Sequence, residues 1–351
     1  MQAGHIRAGF LLCGAGLAVG IALYSNVRWV QSDRGPLLEP VFGYIDKTGE
    51  FVIPPQFDFA GDFSEGLAAV KMDGKTGFVD SAGRIIIPLR FEDAGPFSEK
   101  LAAVSLDGKI GYIDPAGILA IPPRFNYGGV FSEGLAPVGI DARLRLGPRD
   151  DERGGTGGFR FVRRYGYINR DGEMAIQPQF RNARSFTEGL ARVTAQDNLT
   201  GYIDREGDPV IPCEFEQAGP FCGGVARVYS DGRWRLIDRE GEFVDDPQSA
   251  VAGDLSGMLL PVSASPTDPP ATLSAYLTPR RWGFQDLAGK VVIRPRFEKV
   301  RNFTEGLAAV RFDGRFGYID KTGEFVIPAH FDSAFPFREG LARVLIRRPM
   351  D

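Results

Sequence analysis

The sequence is poor in the side chains from which metal centres and disulfide frameworks are built. Its 351 residues include two histidines and three cysteines, too few for a histidine-rich metal site or a cysteine-stapled domain. Neither sign of charge dominates, since 41 lysines and arginines stand against 45 aspartates and glutamates. The basic surface that general nucleic-acid binding requires is therefore missing. We predict no catalytic, cofactor or metal site and no nucleic-acid partner.

Long apolar runs are also lacking, apart from one at the N-terminus. Residues 8–24 form 17 consecutive positions without a charge, a length between a secretory signal and a membrane span. The one acceptable cleavage site, after Gly20, would leave further apolar residues on the mature protein. We therefore expect residues 1–38 to be an uncleaved signal anchor, with a transmembrane helix over residues 8–24, and a linker. The alternative is a protein secreted after cleavage of the signal.

The rest of the chain is built from one repeated unit. The sequence G-Y-I-D-K-T-G-E-F-V-I-P begins at Gly43 and recurs unchanged at Gly317. A constant period of this kind indicates a repeat architecture. Related starts lie 34 or 35 residues apart, with two longer intervals, at Gly43, Gly77, Gly111, Gly166, Gly201, Arg235, Gly283 and Gly317.

Each unit carries a turn signature near its start. Asp or Asn is the fourth residue and Gly the seventh, which is typical of a type I turn that ends in a left-handed glycine. A ladder of calcium sites is the alternative, but each turn offers about one carboxylate and calcium needs six or more oxygens. The predicted turn pairs are Asp46 and Gly49, Asp80 and Gly83, Asp114 and Gly117, Asn169 and Gly172, Asp204 and Gly207, Asp238 and Gly241, Asp286 and Gly289, and Asp320 and Gly323.

A second hairpin signal separates most units. Asp-Gly pairs such as Asp73-Gly74 and Asp107-Gly108 lie between two β-prone apolar runs, a strong hairpin pattern. Between Leu67 and Pro88, three strands are thus joined by two tight turns. With abundant glycine and proline disfavouring helices, we predict an all-β domain of about 34-residue antiparallel meanders over residues 39–346, followed by a short tail at 347–351.

Two phenylalanine positions and one glutamate position recur from unit to unit. A phenylalanine follows most unit starts by 14 residues, as Phe57 does, and another by 20, as Phe63 does. Aromatic rings at fixed places predict that each unit stacks on the next. The recurring glutamate, as in Glu65 and Glu305, is interpreted as bound to backbone donors in its loop rather than as catalytic.

These units resemble the bacterial WG (Trp-Gly) repeat. Its pattern runs W-G-Y-I-D-x-x-G-x-x-V-I-P, then an aromatic residue, then F-x-E-G-L-A-x-V. Trp282-Gly283 preserves the literal dipeptide, and the resemblance covers residues 42–345. It implies an all-β repeat and supplies no catalytic residues. Eight units suit a closed, propeller-like array in which the first and last strands pair, which we favour over an open β-solenoid.

Three departures from the repeat are informative. The unit that begins at Arg235 loses its start glycine and both phenylalanines, yet keeps other positions in register, so we interpret it as decayed but folded. Insertions near 139–164 and 263–281 occupy the same hairpin tip in their units. Loops at equivalent places emerge on one face of a repeat protein. They are either mobile solvated loops or contact loops for a partner.

Two cysteines, Cys213 and Cys222, lie nine residues apart in the fifth unit. In an exported domain they are a candidate disulfide. The alternative is two independent thiols that pack as small apolar side chains.

For function, the sequence indicates a non-enzymatic module for protein binding or scaffolding at the cell envelope, with its repeat domain periplasmic or extracellular. A glycan- or cell-wall-binding module is the alternative, and it would need exposed aromatic rings on one face. Enzymatic activity is the least favoured hypothesis. His330 is the one histidine in the repeat region, and no Ser-His-Asp, Cys-His or phosphate-binding pattern can be assembled around it.

Overall fold

The computed structural model describes residues 38–145, 159–244, 260–263, 281–285 and 290–349. Over these ranges the regular structure consists of thirty β-strands and no helix. The prediction of an all-β array of antiparallel meanders is therefore confirmed for the part of the chain that is described. The apolar run at 8–24, with its expected helix, lies outside that part. In the described ranges no helix is long and apolar enough to cross a membrane.

The strands form eight antiparallel sheets, numbered here in chain order. Sheet 1 contains β2 (Phe51–Phe57), β1 (Leu38–Ile45), β30 (Ala342–Pro349) and β29 (Ser333–Ala334). Sheet 2 contains β3 (Phe59–Ala60), β4 (Leu67–Met72), β5 (Lys75–Asp80) and β6 (Ile85–Phe91). Sheet 3 contains β7 (Asp93–Ser98), β8 (Leu101–Leu106), β9 (Lys109–Ile113) and β10 (Leu119–Phe125). Sheet 4 contains β11 (Tyr127–Gly128), β12 (Ala136–Arg145), β13 (Phe159–Ile168) and β14 (Met174–Phe180).

The second half of the chain repeats the arrangement. Sheet 5 contains β15 (Asn182–Thr187), β16 (Leu190–Thr194), β17 (Thr200–Ile203) and β18 (Pro209–Phe215). Sheet 6 contains β19 (Gln217–Cys222), β20 (Val225–Ser230) and β21 (Arg233–Ile237). Sheet 7 contains β22 (Leu260–Ser263), β23 (Trp282–Gln285) and β24 (Val291–Phe297). Sheet 8 contains β25 (Lys299–Val300), β26 (Ala308–Phe312), β27 (Arg315–Ile319) and β28 (Phe325–Phe331).

A sheet is not the same thing as a sequence unit. Sheet 2 takes its first two strands from the end of the first unit and its last two from the start of the second unit. The first unit therefore begins, and the last unit ends, with half a sheet. These halves combine, because β1 pairs antiparallel with β30 from Leu38 opposite Pro349 to Ile45 opposite Ala342. The ends of the described repeat region are thus joined by backbone hydrogen bonds.

The start glycine of each unit allows the third and fourth strands of a sheet to lie close together. In sheet 2, a Cβ added to Gly77 would lie 2.5 Å from the carbonyl oxygen of Ile87. Pairing between β5 and β6 shifts register at this point, because the fourth strand bulges across the glycine. Six other start glycines, from Gly43 to Gly317, show backbone approaches of 2.2–2.7 Å in the same place.

The hydrophobic core lies between successive sheets. Seven clusters of buried residues each combine side chains of two neighbouring sheets, and together they join sheets 1 to 6 in order, sheet 7 to sheet 8, and sheet 8 to sheet 1. Each junction contains an aromatic pair such as Phe78 with Phe97, and the seven pairs have ring centroids 4.8–5.0 Å apart. Each pair joins a ring on a third strand to the second recurring phenylalanine, so the aromatic ladder stacks one sheet on the next.

Candidate functional site

The predicted turn residues lie at one end of the sheets, between the third and fourth strands. At seven of the eight sites the glycine N–H donates to the Asp or Asn carbonyl, at 2.9–3.2 Å. The side-chain oxygen accepts two further backbone N–H groups, as Asp46 does from Thr48 and Glu50 at 2.9 and 3.2 Å. The eighth site, Asp286 and Gly289, lies outside the described residues. The side-chain oxygen of each Asp or Asn is thus used within its own turn, and the side chain acts as a cap.

These capping hydrogen bonds lower the pKa of several turn carboxyls. Asp46 has a lowered pKa chiefly because the Thr48 hydroxyl donates to it, and Asp320 has one because Thr322 does the same. The pKa of Asp80 is lowered first by the backbone N–H of Arg84. The charged form is favoured because it is the better acceptor. In these three turns the ionised carboxylate is therefore part of the cap.

The recurring glutamates join neighbouring sheets. Each occupies the first position of a two-residue turn between the first and second strands, with φ between 51° and 55°. The side chain reaches the same turn of the next sheet: the carboxylate of Glu133 accepts the N–H of Gly189 at 3.0 Å. At the junction of the chain ends, Gly66 N–H donates to Glu339 at 2.9 Å. We call this recurring contact the glutamate clasp.

The partner of the clasp could not be seen in the sequence. The pattern indicated a glutamate bound to backbone donors in its own loop, whereas the donor belongs to the neighbouring sheet. The same contact recurs from Glu65 to Lys100, Glu99 to Gly134, Glu188 to Gly223 and Gly224, and Glu305 to Gly340. Because the clasp joins equivalent turns, all these turns lie on one face of the array, which we call the turn face.

The opposite face carries the hairpins between second and third strands, and we call it the hairpin face. In sheet 4 this hairpin is long, since β12 and β13 stay paired out to Arg145 and Phe159. The first insertion is thus partly strand, and its tip at 146–158 lies outside the described residues, as do residues 264–280 of the second insertion. The strands flanking both insertions end on the hairpin face. Leu38 and Pro349 also lie there, opposite the turn at Asp46.

The candidate disulfide between Cys213 and Cys222 is not formed, because Cys213 is a free thiol. The two residues belong to different sheets. Cys213 lies on β18 of sheet 5 and packs against the core between sheets 4 and 5, where burial raises the pKa of its thiol. Cys222 ends β19 of sheet 6, opposite Val225. The short sequence separation was misleading because a sheet boundary falls between the two cysteines.

His330 makes a local contact. Its Nδ1 lies 2.8 Å from the carbonyl oxygen of Pro328, and its ring packs 3.9 Å from the ring centre of Phe331. Among the described residues, no group of three or more His, Cys, Asp or Glu side chains is placed to hold a metal ion.

A cluster of arginine and aromatic side chains lies where sheets 1, 2 and 8 meet. Arg343 Nε lies 2.8 Å from Asp62 Oδ1, and its guanidinium packs 3.9 Å from the ring centre of Phe335. Arg301 packs on the same ring at 4.4 Å. Burial lowers the pKa of Arg301, and the neighbouring charge of Arg343 lowers it further. The cluster couples the first and last units and makes no recognisable catalytic arrangement.

Sheet 6 offers a different surface. Trp234 on β21 is 41% exposed, whereas Thr76, at the same position of sheet 2, is 1% exposed. The Arg227 guanidinium lies 4.6 Å from the ring centre of Trp234. We call the side of a third strand that faces the fourth strand its outer edge. Around the outer edge of β21 is a shallow cavity of about 350 Å³. Its walls are Arg227, Arg233, Trp234, Arg235, Leu236, Phe243 and Val244.

The sequence marks the sixth unit as decayed but does not by itself reveal this surface. The signal that could have revealed it is Arg235, which stands where seven other units have glycine. A side chain there leaves no room for the bulged fourth strand that crosses the start glycine in the other sheets. The exposed aromatic rings expected for glycan binding are not collected on one face. Among the described residues they are Phe51 in sheet 1, Phe59 in sheet 2, and Trp234 and Phe243 in the sixth unit.

The geometry defines a tandem β-repeat protein whose recurring polar residues are used in turns and in contacts between sheets. The family model for the WG containing repeat matches residues 42–75, 77–109, 110–142, 165–199, 201–234, 282–316 and 316–347. These segments make up more than half of the chain. The chain belongs to this WG-repeat family, which confirms the resemblance. No curated protein sequence matches the chain significantly.

Several solved structures are similar over most of the chain at low sequence identity. A crystal structure of a eukaryotic initiation factor is 10% identical, covers 82% of this chain and 95% of its own, and has a TM-score of 0.39. BamB from Moraxella catarrhalis is 10% identical, covers 89% and 95%, and has a TM-score of 0.36. The WD40 β-propeller domain of Doa1 is 10% identical, covers 89% and 97%, and has a TM-score of 0.33.

Proposed function

We propose that this protein is a non-enzymatic module for protein binding or scaffolding, held at the cell envelope with its repeat domain outside the cytoplasm. The observation that carries the proposal is how the recurring polar residues are used. The turn aspartates cap their own turns, and the glutamates clasp the next sheet. What remains for contact with other molecules is the surface that differs from sheet to sheet.

In this proposal the eight sheets close into a propeller-like ring. Pairing of β1 with β30, the clasp from Glu339 to Gly66 and the cluster around Arg343 join the two ends of the array. A closed ring also requires contact between sheets 6 and 7, the one neighbouring pair that no core cluster of the described residues joins. A ring presents two opposite faces, which suits a scaffold that holds partners in fixed relative positions.

The hairpin face is the proposed contact face. Both insertions interrupt hairpins that end on this face, and the chain enters β1 from it at Leu38. An anchor formed by residues 8–24 would therefore leave the domain on the same side as the insertions. That arrangement would keep the insertions close to the membrane surface and to envelope proteins assembled there.

Site-specific photo-crosslinking in cells tests the binding function. A photoreactive residue is placed at Asp107, on the hairpin face, or at Ala82, on the turn face, of the full chain. Defined crosslinked adducts are expected from Asp107 and few from Ala82. Adducts at neither position would argue against a binding module, and equal adducts at both would argue against the hairpin face.

Location requires a separate measurement. Alkaline phosphatase fused after residue 351 should be active in cells, because the enzyme matures outside the cytoplasm. N-terminal sequencing of the membrane fraction should yield Met1 for an anchor. A sequence beginning at Ile21 would instead support the cleaved, secreted alternative, and an inactive fusion would contradict export.

A further inference from the structure

We propose that the outer edge of β21 is a docking site for an extended acidic segment of another protein, which adds to sheet 6 as its fourth strand. This rests on the proposed binding function and assigns it a surface and a partner chemistry. Added strands obtain affinity from backbone hydrogen bonds and specificity from side-chain pockets.

The outer edge of β21 is less covered by described residues than the same edge in sheet 2. In sheet 2, the seven-residue β6 covers the outer edge of β5, with Thr76 opposite Phe91 and Phe78 opposite Ile87. In sheet 6 the described residues supply only the bridge from Ile237 to Phe243 and the hydrogen bond from Val244 N–H to the Leu236 carbonyl. No described strand covers the outer edge of β21 beyond that point.

The sixth unit has also lost the residues that a fourth strand of the usual kind needs. Arg235 replaces the start glycine. At the same position of sheet 2, a single added Cβ would already lie 2.5 Å from a carbonyl oxygen of the fourth strand. The buried isoleucine and phenylalanine of β6, Ile87 and Phe91, correspond in sequence to Asp245 and Ser249. The bulged, apolar strand used in the other sheets therefore has neither room nor anchors here.

The cavity beside β21 is positively charged. Three guanidinium groups, those of Arg227, Arg233 and Arg235, line the cavity, and none of its lining residues is acidic. Among the described residues no ion pair involves these three arginines. Carboxylates on an incoming strand would pair with them, while apolar side chains on its other face would cover Trp234, an arrangement that favours an acidic strand of alternating pattern.

The test uses two fluorescein-labelled heptapeptides, EVEVEVE and KVKVKVK, with acetylated and amidated ends, and the full chain in mild detergent. Fluorescence anisotropy should show saturable binding of the acidic peptide, weakened by salt, and no binding of the lysine peptide. The double variant Arg227→Glu with Arg235→Glu should bind at least tenfold more weakly. Lys109→Glu is the matched control, because Lys109 follows the hairpin of a sheet that has its fourth strand, and it should bind as the unmodified chain does.

A second variant rebuilds the missing strand. The triple change Arg235→Gly, Asp245→Ile and Ser249→Phe restores the pattern of the other units, so it should fold at least as stably and lose the peptide. Peptide binding that survives this change would overturn the proposal. So would failure of the unmodified chain to bind the acidic peptide, or equal binding of both peptides.

Hydrogen exchange separates the proposal from cover by the chain itself. Backbone amides of 233–237 should exchange faster than those of 75–80 in the free protein and slow when the acidic peptide is added. Equal protection of both segments without peptide would mean that residues 245–259 occupy the edge, and the proposal would fail. A partner that crosslinks at Asp107 in a chain that fails to bind the acidic peptide would leave the binding function standing while this surface falls.

Discussion

Sheets 2 and 6 are built from the same repeat pattern but differ at their outer edges, since sheet 2 has a fourth strand and the described part of sheet 6 has three strands. In sheet 2, Phe91 is fully buried and β6 covers β5. In sheet 6 the sequence position of Phe91 is taken by Ser249, which lies outside the described residues. The inner halves remain alike, since Phe63 and Phe221 both stack on an aromatic ring of the preceding sheet.

The contrast shows what each part of the unit does for the array. In sheet 2 the outer strand packs on the following sheet, because Ile87 and Phe91 belong to the core shared with sheet 3. Ile87 also lies against the turn of sheet 3, 3.0 Å from the place that a Cβ on Gly117 would take. In sheet 6 the inner strands and the third strand make the contact with sheet 5. Contact with the preceding sheet therefore does not depend on the fourth strand, whereas contact with the following sheet does.

The largest effect is expected when the buried phenylalanine of β6 is removed. Phe91→Ala in sheet 2 should lower the free energy of unfolding by about 3–5 kcal/mol, because it leaves a cavity in a closed core. Phe243→Ala should cost less than about 1 kcal/mol, since its ring, like the side chain of Ile85 at the same repeat position of sheet 2, is exposed and loses little burial. Urea unfolding of both variants checks the comparison, and equal costs would show that the ring of Phe243 is buried in solution.

The start glycine gives the next effect. Gly77→Ala should destabilise the protein by about 1–3 kcal/mol, because the new methyl group collides with the backbone of β6. Its counterpart, Arg235→Gly, should change stability by no more than about 0.5 kcal/mol. Thermal unfolding distinguishes the two, and a tolerated Gly77→Ala would contradict the packing account of the repeat glycine.

A third comparison concerns the clasp. Glu133→Ala should cost about 1–2 kcal/mol, because the N–H of Gly189 loses a charged acceptor. Glu133→Gly should cost less, since glycine relieves the positive φ at that position, as Gly223 does naturally in sheet 6. If the two variants unfolded at the same urea concentration, φ strain at the glutamate would be negligible.

The smallest effect is a pH dependence in the turn that leads into β6. The pKa of Asp80 is lowered in the folded protein, chiefly by the N–H of Arg84. Its stabilising contribution is therefore complete above the unfolded pKa of about 4 and is lost as the pH falls through the lower folded value. Asp80→Asn keeps the cap, as Asn169 does, but removes the titration. Melting temperatures between about pH 5 and pH 2 should fall less steeply for the variant, and parallel curves would contradict the assignment.

Local pattern was enough to predict the turns and the strand content. Asp46 and Gly49 meet within one turn, and the hairpin at Asp73-Gly74 joins strands adjacent in sequence, so neighbouring residues carry the information. The pairing of first and last strands also followed from the sequence, because each end of the repeat carries half of a sheet. The pair Cys213 and Cys222 shows the limit, since nearness along the chain says nothing about which sheet a residue joins.

What the sequence determined by itself is the period, the number of units and their turns, because backbone geometry at Asp, Gly and Pro depends on a few adjacent residues. Only the tertiary structure decided that the clasp of Glu133 reaches Gly189 and that Trp234 is exposed. Those outcomes depend on which strands become neighbours across a sheet boundary. They also depend on side-chain volume at the start of the unit, because Arg235 fills the space that glycine leaves for the fourth strand in the other sheets.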